Sequence, residues 1–246
     1  MKDGVIKRLE EDKYLLKLNN SYIFLDKYLN VRENIFKVIR FKFKKNNFAE
    51  IEMPNLLEEE FIADSPIYNL LDRIKQFKVF FSGRKFFNLA HSHEEIFSKF
   101  VANKKINKNS VFYQITKKYR PEFSNSIYNL NEFYMVDMYF LADSTKVLDD
   151  YYRLIKSIFS EIMSELKMSF KISKNFIDPE FKVHSQEFYS QDESNNDNIE
   201  IAHIFQLNEM YSKIYFPKLN VKHMICFGIG IDRLAILKCI KGVSNE

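Results

Sequence analysis

The sequence predicts an α+β fold with an antiparallel sheet. Helical and strand patterns follow one another without the regular alternation of a doubly wound parallel sheet. Strand patterns also come in neighbouring pairs: Ser110–Tyr119 and Glu132–Leu141 flank the polar loop Arg120–Asn131 and are expected to form a hairpin. With only five glycines and five prolines, the chain shows no linker, so residues 1–246 are expected to form a single domain.

The first part of the chain contains a helix followed by a strand. Residues 1–27 carry no clear pattern and are treated as an N-terminal extension. From Val31 to Lys45, apolar residues recur at helical spacing. The segment Phe48–Pro54 then alternates and stops at a proline, which cannot donate to a sheet ladder, so the strand is expected to end there. Packing alone could account for this helix–strand unit.

The middle of the chain predicts short strands and then a helix. Short apolar runs between residues 78 and 90 indicate the strands. His91–Val101 predicts a helix entered through Ser92, with Glu94 and Glu95 in its first turn. Ser92 and Glu95 have the spacing of a capping box, which leaves a purely structural role for both residues open.

The last hundred residues begin with a strongly amphipathic helix at Val147–Lys167. Residues 184–198 are mostly polar and are expected to form a mobile loop. Two strands and a helix follow, at Glu200–Phe205, His223–Phe227 and Ile231–Ile240. The helix is entered through a turn at Gly228-Ile229-Gly230, which lacks the third glycine of a dinucleotide-binding fingerprint.

Composition sets only loose limits on function. The net charge of +4, from 37 basic and 33 acidic residues, permits an anionic ligand such as ATP or a nucleic acid without requiring one. Two cysteines without a CxxC pair predict no structural zinc site. No uninterrupted apolar run reaches the roughly 18 residues that a membrane span needs, and the N-terminus has no signal-peptide pattern. The expected protein is soluble and cytoplasmic.

Several residues have the chemistry of a nucleotide site. Arg120 and Glu122 end one strand of the predicted hairpin, and Phe133 begins the other. Arg233 lies in the first turn of a helix, where the helix N-terminus favours phosphate and Gly230 allows a close approach of the backbone. Guanidinium groups suit phosphates, and an aromatic face suits a purine. Ordinary surface ion pairs remain the alternative for either arginine taken alone.

Five segments, in this order, resemble the catalytic core of the class II aminoacyl-tRNA synthetases, and most closely the prolyl type. The helix and strand ending at Pro54 resemble the first motif of the class, which makes its dimer interface. The other segments are Ser92-His93-Glu94-Glu95, the second motif from Val111 to Glu122 with its returning strand Glu132–Asp137, the stretch from Glu200 to Leu207 with Tyr211-Ser212, and the third motif Gly228–Arg233. The likeness covers roughly Val31 to Ile240 and implies the class II antiparallel sheet flanked by helices.

The resemblance implies a role for each matched residue. Arg120 would hold the α-phosphate and the substrate carboxylate, and Arg233 the far phosphate. Glu122 would contact the adenine amine, and Phe133 would stack under the ring. Gly230 would line the ATP site, Glu200 is a candidate ligand of the magnesium ion that accompanies ATP, and the amino-acid site would contain Ser92, Glu94, Ala202 and His203. No protein cluster is expected to hold a metal by itself.

Three positions depart from the family pattern. Asn129 stands where the family usually has an arginine or histidine that contacts phosphate. Ala202 replaces a glycine, so a methyl group is expected to enter the amino-acid pocket, and Ser92 replaces a threonine. These changes put proline as the substrate in doubt more than they do the adenylate chemistry. The loss of charge at Asn129 is expected to weaken ATP binding.

The expected function is ATP-dependent activation of a small amino acid as an aminoacyl-adenylate. The interval between the second and third motifs is too short for an editing domain, and little chain follows Arg233 to form an anticodon-binding domain. The acyl acceptor is therefore expected to be a carrier-protein thiol, a small amine or a tRNA acceptor end. A homodimer through residues 31–54 is expected. The alternatives are a catalytically silent paralogue that regulates or binds a partner, and a tRNA synthetase whose anticodon domain is a separate chain.

Overall fold

A computed structural model describes residues 2–19, 21–59, 77–80, 86–102, 109–121, 126–177, 183–192, 196–207 and 222–244. The helices in these ranges are α1 (Lys2–Glu11), α2 (Asp26–Lys45), α3 (Glu94–Ala102), α4 (Thr145–Glu165) and α5 (Ile231–Ser244). The shorter strands are β1 (Leu15–Leu18), β2 (Ser21–Phe24), β3 (Ala49–Glu50), β4 (Leu56–Glu58), β5 (Lys78–Phe80), β6 (Phe86–Leu89), β9 (Lys171–Ile172) and β10 (Phe176–Ile177). The longer strands are β7 (Val111–Tyr119), β8 (Glu132–Ala142), β11 (His184–Asp192), β12 (Asp197–Leu207) and β13 (His223–Gly230).

One large sheet organises the fold. Its strand order is β10-β11-β12-β13-β8-β7-β3, with β9 paired to β11, and every pairing is antiparallel except that of β3 with β7. A small sheet β4-β6-β5 and the hairpin β1-β2 complete the pairings of the described residues. The predicted α+β class with an antiparallel sheet is confirmed, and so is the hairpin of β7 and β8.

Strand β8 is buried on both faces and divides the core in two. Val136, Met138 and Phe140 belong to a core that is shared with α2, α4 and α5. Tyr139 and Leu141 belong to a second core that is shared with α3. This alternation is the period of two expected for a strand whose sheet is covered by helices on both sides.

The polar segment 184–198 was expected to be a loop, and this prediction is wrong. Residues 184–192 form β11, and β12 begins at Asp197. Two of its buried polar side chains, Gln186 and Ser190, donate hydrogen bonds to backbone carbonyls. Ser190 Oγ donates to the Ser169 carbonyl at 2.8 Å, and Gln186 Nε2 donates to the Ser173 carbonyl at 2.8 Å.

Other boundaries also differ from the sequence prediction. The strand expected at Phe48–Pro54 is only Ala49–Glu50, paired in parallel with β7. The expected turn Gly228–Gly230 is the end of β13, and α5 follows it without a connecting residue. The unassigned residues 1–27 contain α1, the hairpin β1-β2 and the start of α2. No helix in the described ranges combines the length and the apolar character needed to cross a membrane.

Asp232 joins three elements beside the end of β13. It lies in the first turn of α5 and is 3% exposed. Its carboxylate accepts hydrogen bonds from the Tyr28 hydroxyl of α2 and from the Tyr134 backbone N–H of β8. Arg32 Nη1 of α2 lies 3.5 Å from the same carboxylate, and its guanidinium lies 4.6 Å from the centre of the Tyr134 ring. These contacts fix the start of α5 against both α2 and the sheet.

The packing of α4 on the sheet gives a test of the fold. Phe159 is fully buried and contacts Phe170, Phe188 and Phe227, with ring centres 4.9–5.7 Å apart. Phe159→Ala should lower the free energy of unfolding by about 3–5 kcal/mol, because it leaves a cavity between α4, β11 and β13. Urea unfolding measures the loss. Phe80→Ala, at a phenylalanine of β5 that is 69% exposed, is the matched control and should cost less than about 0.5 kcal/mol. Equal losses in the two variants would contradict the packing of α4 on β11.

Candidate functional site

A cleft opens on the sheet where the ends of β7, β8, β12 and β13 meet the start of α5. It brings together most of the residues predicted for the site: Arg120, Phe133, Glu200, Ala202, His203, Gly230 and Arg233. Their elements are far apart in sequence and adjacent in the sheet. Glu122, Tyr211 and Ser212 lie outside the described residues.

Arg120 is placed above an aromatic ring, and its Nε has no hydrogen-bond partner among the described residues. It directly follows β7, and its backbone N–H donates to the Asn131 carbonyl at 2.9 Å across the hairpin. Its guanidinium carbon lies 5.4 Å from the centre of the Phe133 ring. Its buried Nε has no acceptor among the described residues. Burial lowers the pKa of Arg120, although nearby Asp137 and Glu94 act in the opposite direction. A buried cation with an unused donor is suited to bind an anion.

Four hydrogen bonds to neighbouring residues hold the guanidinium of Arg233. Nε donates to the Tyr128 carbonyl at 3.0 Å. Nη1 donates to the Glu200 carbonyl at 2.9 Å and to the Glu200 carboxylate at 3.3 Å. Nη2 donates to Asn129 Oδ1 at 3.3 Å. These four bonds use four of the five N–H groups of a guanidinium, so the side chain is fixed in one orientation.

An irregularity in β12 directs Glu200 to the cleft. Phe188 pairs with Ala202, but Tyr189 pairs with Glu200, so Ile201 is an extra residue in the ladder. Without it, Glu200 and Ala202 would point to the same face of the sheet, because side chains alternate along a strand. The bulge places Glu200 on the opposite face, where it lines the cleft.

Ala202 and His203 point to opposite faces of the sheet. Ala202 pairs with Ile229 and belongs to the core, where it is 3% exposed. His203 pairs with Gly228, which in turn pairs with Asp137 on the cleft side. The side chain of Ala202 therefore lies on the core side of the sheet, and Ala202 also lines the cleft. Its place in the amino-acid pocket stays a prediction.

The two glycines of the third motif differ in what surrounds them. A Cβ at Gly228 would lie 2.1 Å from the terminal carbon of Met135, so a side chain there would have to displace the end of Met135. A Cβ at Gly230 would meet its nearest atom, in Arg233, at 3.5 Å, which is an ordinary contact. The protein itself therefore needs glycine at position 228 more than at 230. The close approach of a ligand at Gly230 stays a prediction.

A buried charged network lies beneath the cleft and was not predicted. Lys118 Nζ contacts both His93 Nδ1 and the Asp137 carboxylate. Gln114 Nε2 donates to the same carboxylate at 3.0 Å, and Gln114 Oε1 accepts from the Met53 N–H at 3.3 Å. Lys118 and His93 lower the pKa of the Asp137 carboxyl, whereas burial and Lys118 lower the pKa of His93. The polar residues at alternate positions of β7 were the sequence signal for this network.

Ser92 and Glu94 lie at the start of α3. The Phe97 N–H bonds to the His93 carbonyl at 2.9 Å, so the helix begins at Glu94 and not at Ser92. Ser92 Oγ and Glu94 Oε2 are buried and have no hydrogen-bond partner within the described part of the chain. The capping box is thus not formed by Ser92, and both atoms remain available to a ligand. Glu94 is close enough to Arg120 to raise the pKa of that guanidinium.

The described residues contain no group of three or more histidine, cysteine, aspartate or glutamate side chains placed to hold a metal ion. Glu200 presents a carboxylate to the cleft, and only Oε2 is bound to Arg233. A single carboxylate fits magnesium that is held mainly by substrate phosphates and water. It does not fit an ion that is held by the protein alone.

Comparison with known proteins matches this chain to synthetases. The family model described as "tRNA synthetases class II (D, K and N)" matches residues 11–218. The proline–tRNA ligase of Wigglesworthia glossinidia brevipalpis is 26% identical in an alignment of length 243 that covers 92% of this chain and 39% of that protein. The proline–tRNA ligase of Buchnera aphidicola subsp. Baizongia pistaciae is 24% identical in an alignment of length 227 that covers 82% of this chain and 38% of that protein.

A third relative matches a shorter part. The proline–tRNA ligase of Thermosipho africanus is 31% identical over 91 residues, 35% of this chain and 16% of that protein. The chain thus spans about two fifths of the length of the first two relatives. The family model and the relatives name different amino acids, and both name enzymes that join an amino acid to tRNA.

His91 gives a test of the electrostatics beside the cleft. Burial, together with Arg120 and Lys118, lowers the pKa of His91 from 6.5 to about 3. Because the folded-state pKa is depressed, the stabilisation is present above pH 6.5 and is lost as the pH falls toward the folded-state value. The free energy of unfolding should fall by about 1.4 kcal/mol per pH unit for this one histidine.

Urea unfolding between pH 7.5 and 5 measures that slope. His91→Gln should reduce it by about one proton, because glutamine does not titrate. His184→Gln, at an exposed histidine on β11, is the matched control and should keep the original slope. An unchanged slope in His91→Gln would contradict a buried, neutral His91.

Proposed function

Because the chain belongs to the class II tRNA synthetases, we propose that it uses ATP to activate a small amino acid as an aminoacyl-adenylate. The observation that carries this proposal is the pair of cleft arginines. Arg120 lies over Phe133 with an unused Nε donor, and Arg233 is held rigidly on the other side of the site. Two guanidinium groups and an aromatic ring around one cleft match the phosphates and the purine of ATP.

In this proposal the amino-acid carboxylate attacks the α-phosphorus of ATP. A carboxylate oxygen–phosphorus bond forms, the bond from that phosphorus to the β-phosphate oxygen breaks, and pyrophosphate leaves with the electron pair. Arg120 holds both the attacking carboxylate and the α-phosphate and offsets the charge that builds up between them. Arg233 holds the far phosphate. Phe133 stacks on the adenine, and Glu122 is proposed to accept from its amine.

Magnesium, when bound, supplies positive charge to the phosphates. Glu200 is the carboxylate of the cleft that would help to hold it, because only one of its oxygens is bound to Arg233. Gly230 is proposed to let the triphosphate lie against the backbone at the end of β13.

The amino group of the substrate is proposed to bind beside Arg120. The buried Glu94 Oε2 and Ser92 Oγ lack partners among the residues described, and an ammonium group supplies the donors that a carboxylate and a hydroxyl can accept. His203 lines the same cleft from β12. Ala202 is proposed to contribute its backbone only. The methyl group of Ala202 is thus no reason to exclude any particular amino acid.

The acceptor of the acyl group is proposed to be a carrier-protein thiol, a small amine or a tRNA acceptor end. The synthetase is proposed to be cytoplasmic and to form a homodimer through residues 31–54. The second candidate is a catalytically silent paralogue that binds a partner. It is favoured by Asn129, a neutral residue that is bound to Arg233.

An ATP–pyrophosphate exchange assay with each of the twenty amino acids tests the main proposal. At least one amino acid should support exchange. Arg120→Ala should reduce exchange with it by about a hundredfold or more, the effect expected from the loss of a positioned charge at the transition state. Arg153→Ala, at an exposed surface arginine of α4, is the matched control and should leave the rate unchanged.

Two results would count against the proposal. No exchange with any amino acid by a folded protein would favour the silent paralogue. Exchange that survives Arg120→Ala would show that the assignment of Arg120 is wrong.

A further inference from the structure

We propose that Asn129 is a positioning residue for ATP binding, and that it acts by holding Arg233 in one orientation without neutralising its charge. The inference rests on the proposed function in that ATP is the ligand. The lack of charge at Asn129 suggests that ATP binding is weakened. The inference instead gives Asn129 a positive role in ATP binding.

Three residues hold the guanidinium of Arg233. The side-chain oxygen of Asn129 accepts from Nη2, while the neighbouring Tyr128 carbonyl accepts from Nε. Glu200 occupies both hydrogens of Nη1. Asn129 therefore holds the end of the guanidinium that Glu200 and Tyr128 do not reach. One Nη2 hydrogen is left for a ligand, and its direction is set by the bond to Asn129.

The local turn does not require the side-chain oxygen of Asn129. The turn is closed by the Asn129 backbone N–H, which donates to the Ser126 carbonyl at 3.0 Å. Ser126 Oγ accepts from the Tyr128 N–H at 3.3 Å. The segment is also tied to β11, because the Tyr128 hydroxyl donates to the Asp192 carboxylate at 2.7 Å. The backbone that carries Asn129 is thus held in place independently of its amide oxygen.

The partners of Arg233 leave most of its positive charge unneutralised. Of the four hydrogen bonds to Arg233, three go to neutral oxygens and only one to a carboxylate. A second carboxylate at position 129 would offset the cation, and an arginine there would repel it. An amide oxygen orients the guanidinium and leaves most of its positive charge for a phosphate. Asn129 thereby makes one fixed arginine sufficient for the far phosphate.

This role predicts an effect on ATP binding, with little effect on the chemical step. The far phosphate is held in the ground state and in the transition state, so losing its oriented contact should raise KM for ATP and leave kcat nearly unchanged. Asn129→Ala should raise both KM and the dissociation constant for ATP by about tenfold, the size expected for a hydrogen bond to a charged group. Asn30→Ala, at an exposed asparagine of α2 that lies outside residues 31–54, is the matched control, with an unchanged KM.

A double-mutant cycle separates positioning from a general structural effect. If Asn129 acts through Arg233, then Asn129→Ala combined with Arg233→Ala should bind ATP no more weakly than Arg233→Ala alone, within about threefold. The dissociation constant is measured with a fluorescent ATP analogue and competing ATP, and KM by pyrophosphate exchange. Fully additive losses would overturn the proposal, and so would a fall in kcat at unchanged KM.

Measuring ATP binding separately from pyrophosphate exchange distinguishes failure of this inference from failure of the proposed function. If the protein shows no exchange but binds ATP, and the cycle is non-additive, then Asn129 positions Arg233 in a nucleotide site that does not catalyse activation. If the native chain does not bind ATP, the inference is overturned.

Discussion

The buried carboxylate of Asp232 is the contact on which the site depends. Burial raises the pKa of Asp232, and hydrogen bonds from Tyr28 and Tyr134 together with Arg32 act against that shift. A buried carboxylate without such partners would cost several kcal/mol, so α2, β8 and α5 are constrained to meet at this point. Arg233 is the next residue along α5, and Phe133 precedes Tyr134 on β8. The hydrogen-bonded carboxylate of Asp232 therefore fixes the positions of Arg233 and Phe133, which line the cleft.

Register in the sheet then decides which side chains reach the cleft. Each strand presents alternate residues to the core and to the site, so a slip of one residue would exchange the two sets. Along β8, Asp137 faces the cleft side and Val136 faces the core. In β12 the alternation is broken once, at Ile201. That single extra residue is the reason that Glu200 and His203 can both serve the site while Ala202 remains in the core.

Features that depend on local hydrophobic periodicity and on residue type could be predicted from the sequence. The hairpin of β7 and β8 follows from alternation, and the grouping of Arg120, Phe133 and Arg233 in one cleft follows from the motif order. Strand β11 could not be recognised, because several of its buried residues are polar, and the acceptors of Gln186 and Ser190 are backbone carbonyls of another segment. The Lys118–Asp137–His93 network was missed for the same reason, since its partners come from three separate elements. The direction of Ala202 depends on a bulge that leaves no mark in composition.

The two arginines of the cleft differ in how completely the protein satisfies them, and this difference has a physical consequence. Arg233 has one N–H left, so its position is set before a ligand arrives and binding it requires little further ordering. Arg120 keeps an unused buried Nε and rests on the Phe133 ring, so its strongest contacts can form only with a ligand. A contact that strengthens as charge develops lowers a barrier, whereas one that is complete beforehand supports binding. In the proposed function, the different roles of Arg120 at the α-phosphate and of Arg233 at the far phosphate follow from the hydrogen bonds around each guanidinium. Asn129 completes the set of bonds around Arg233.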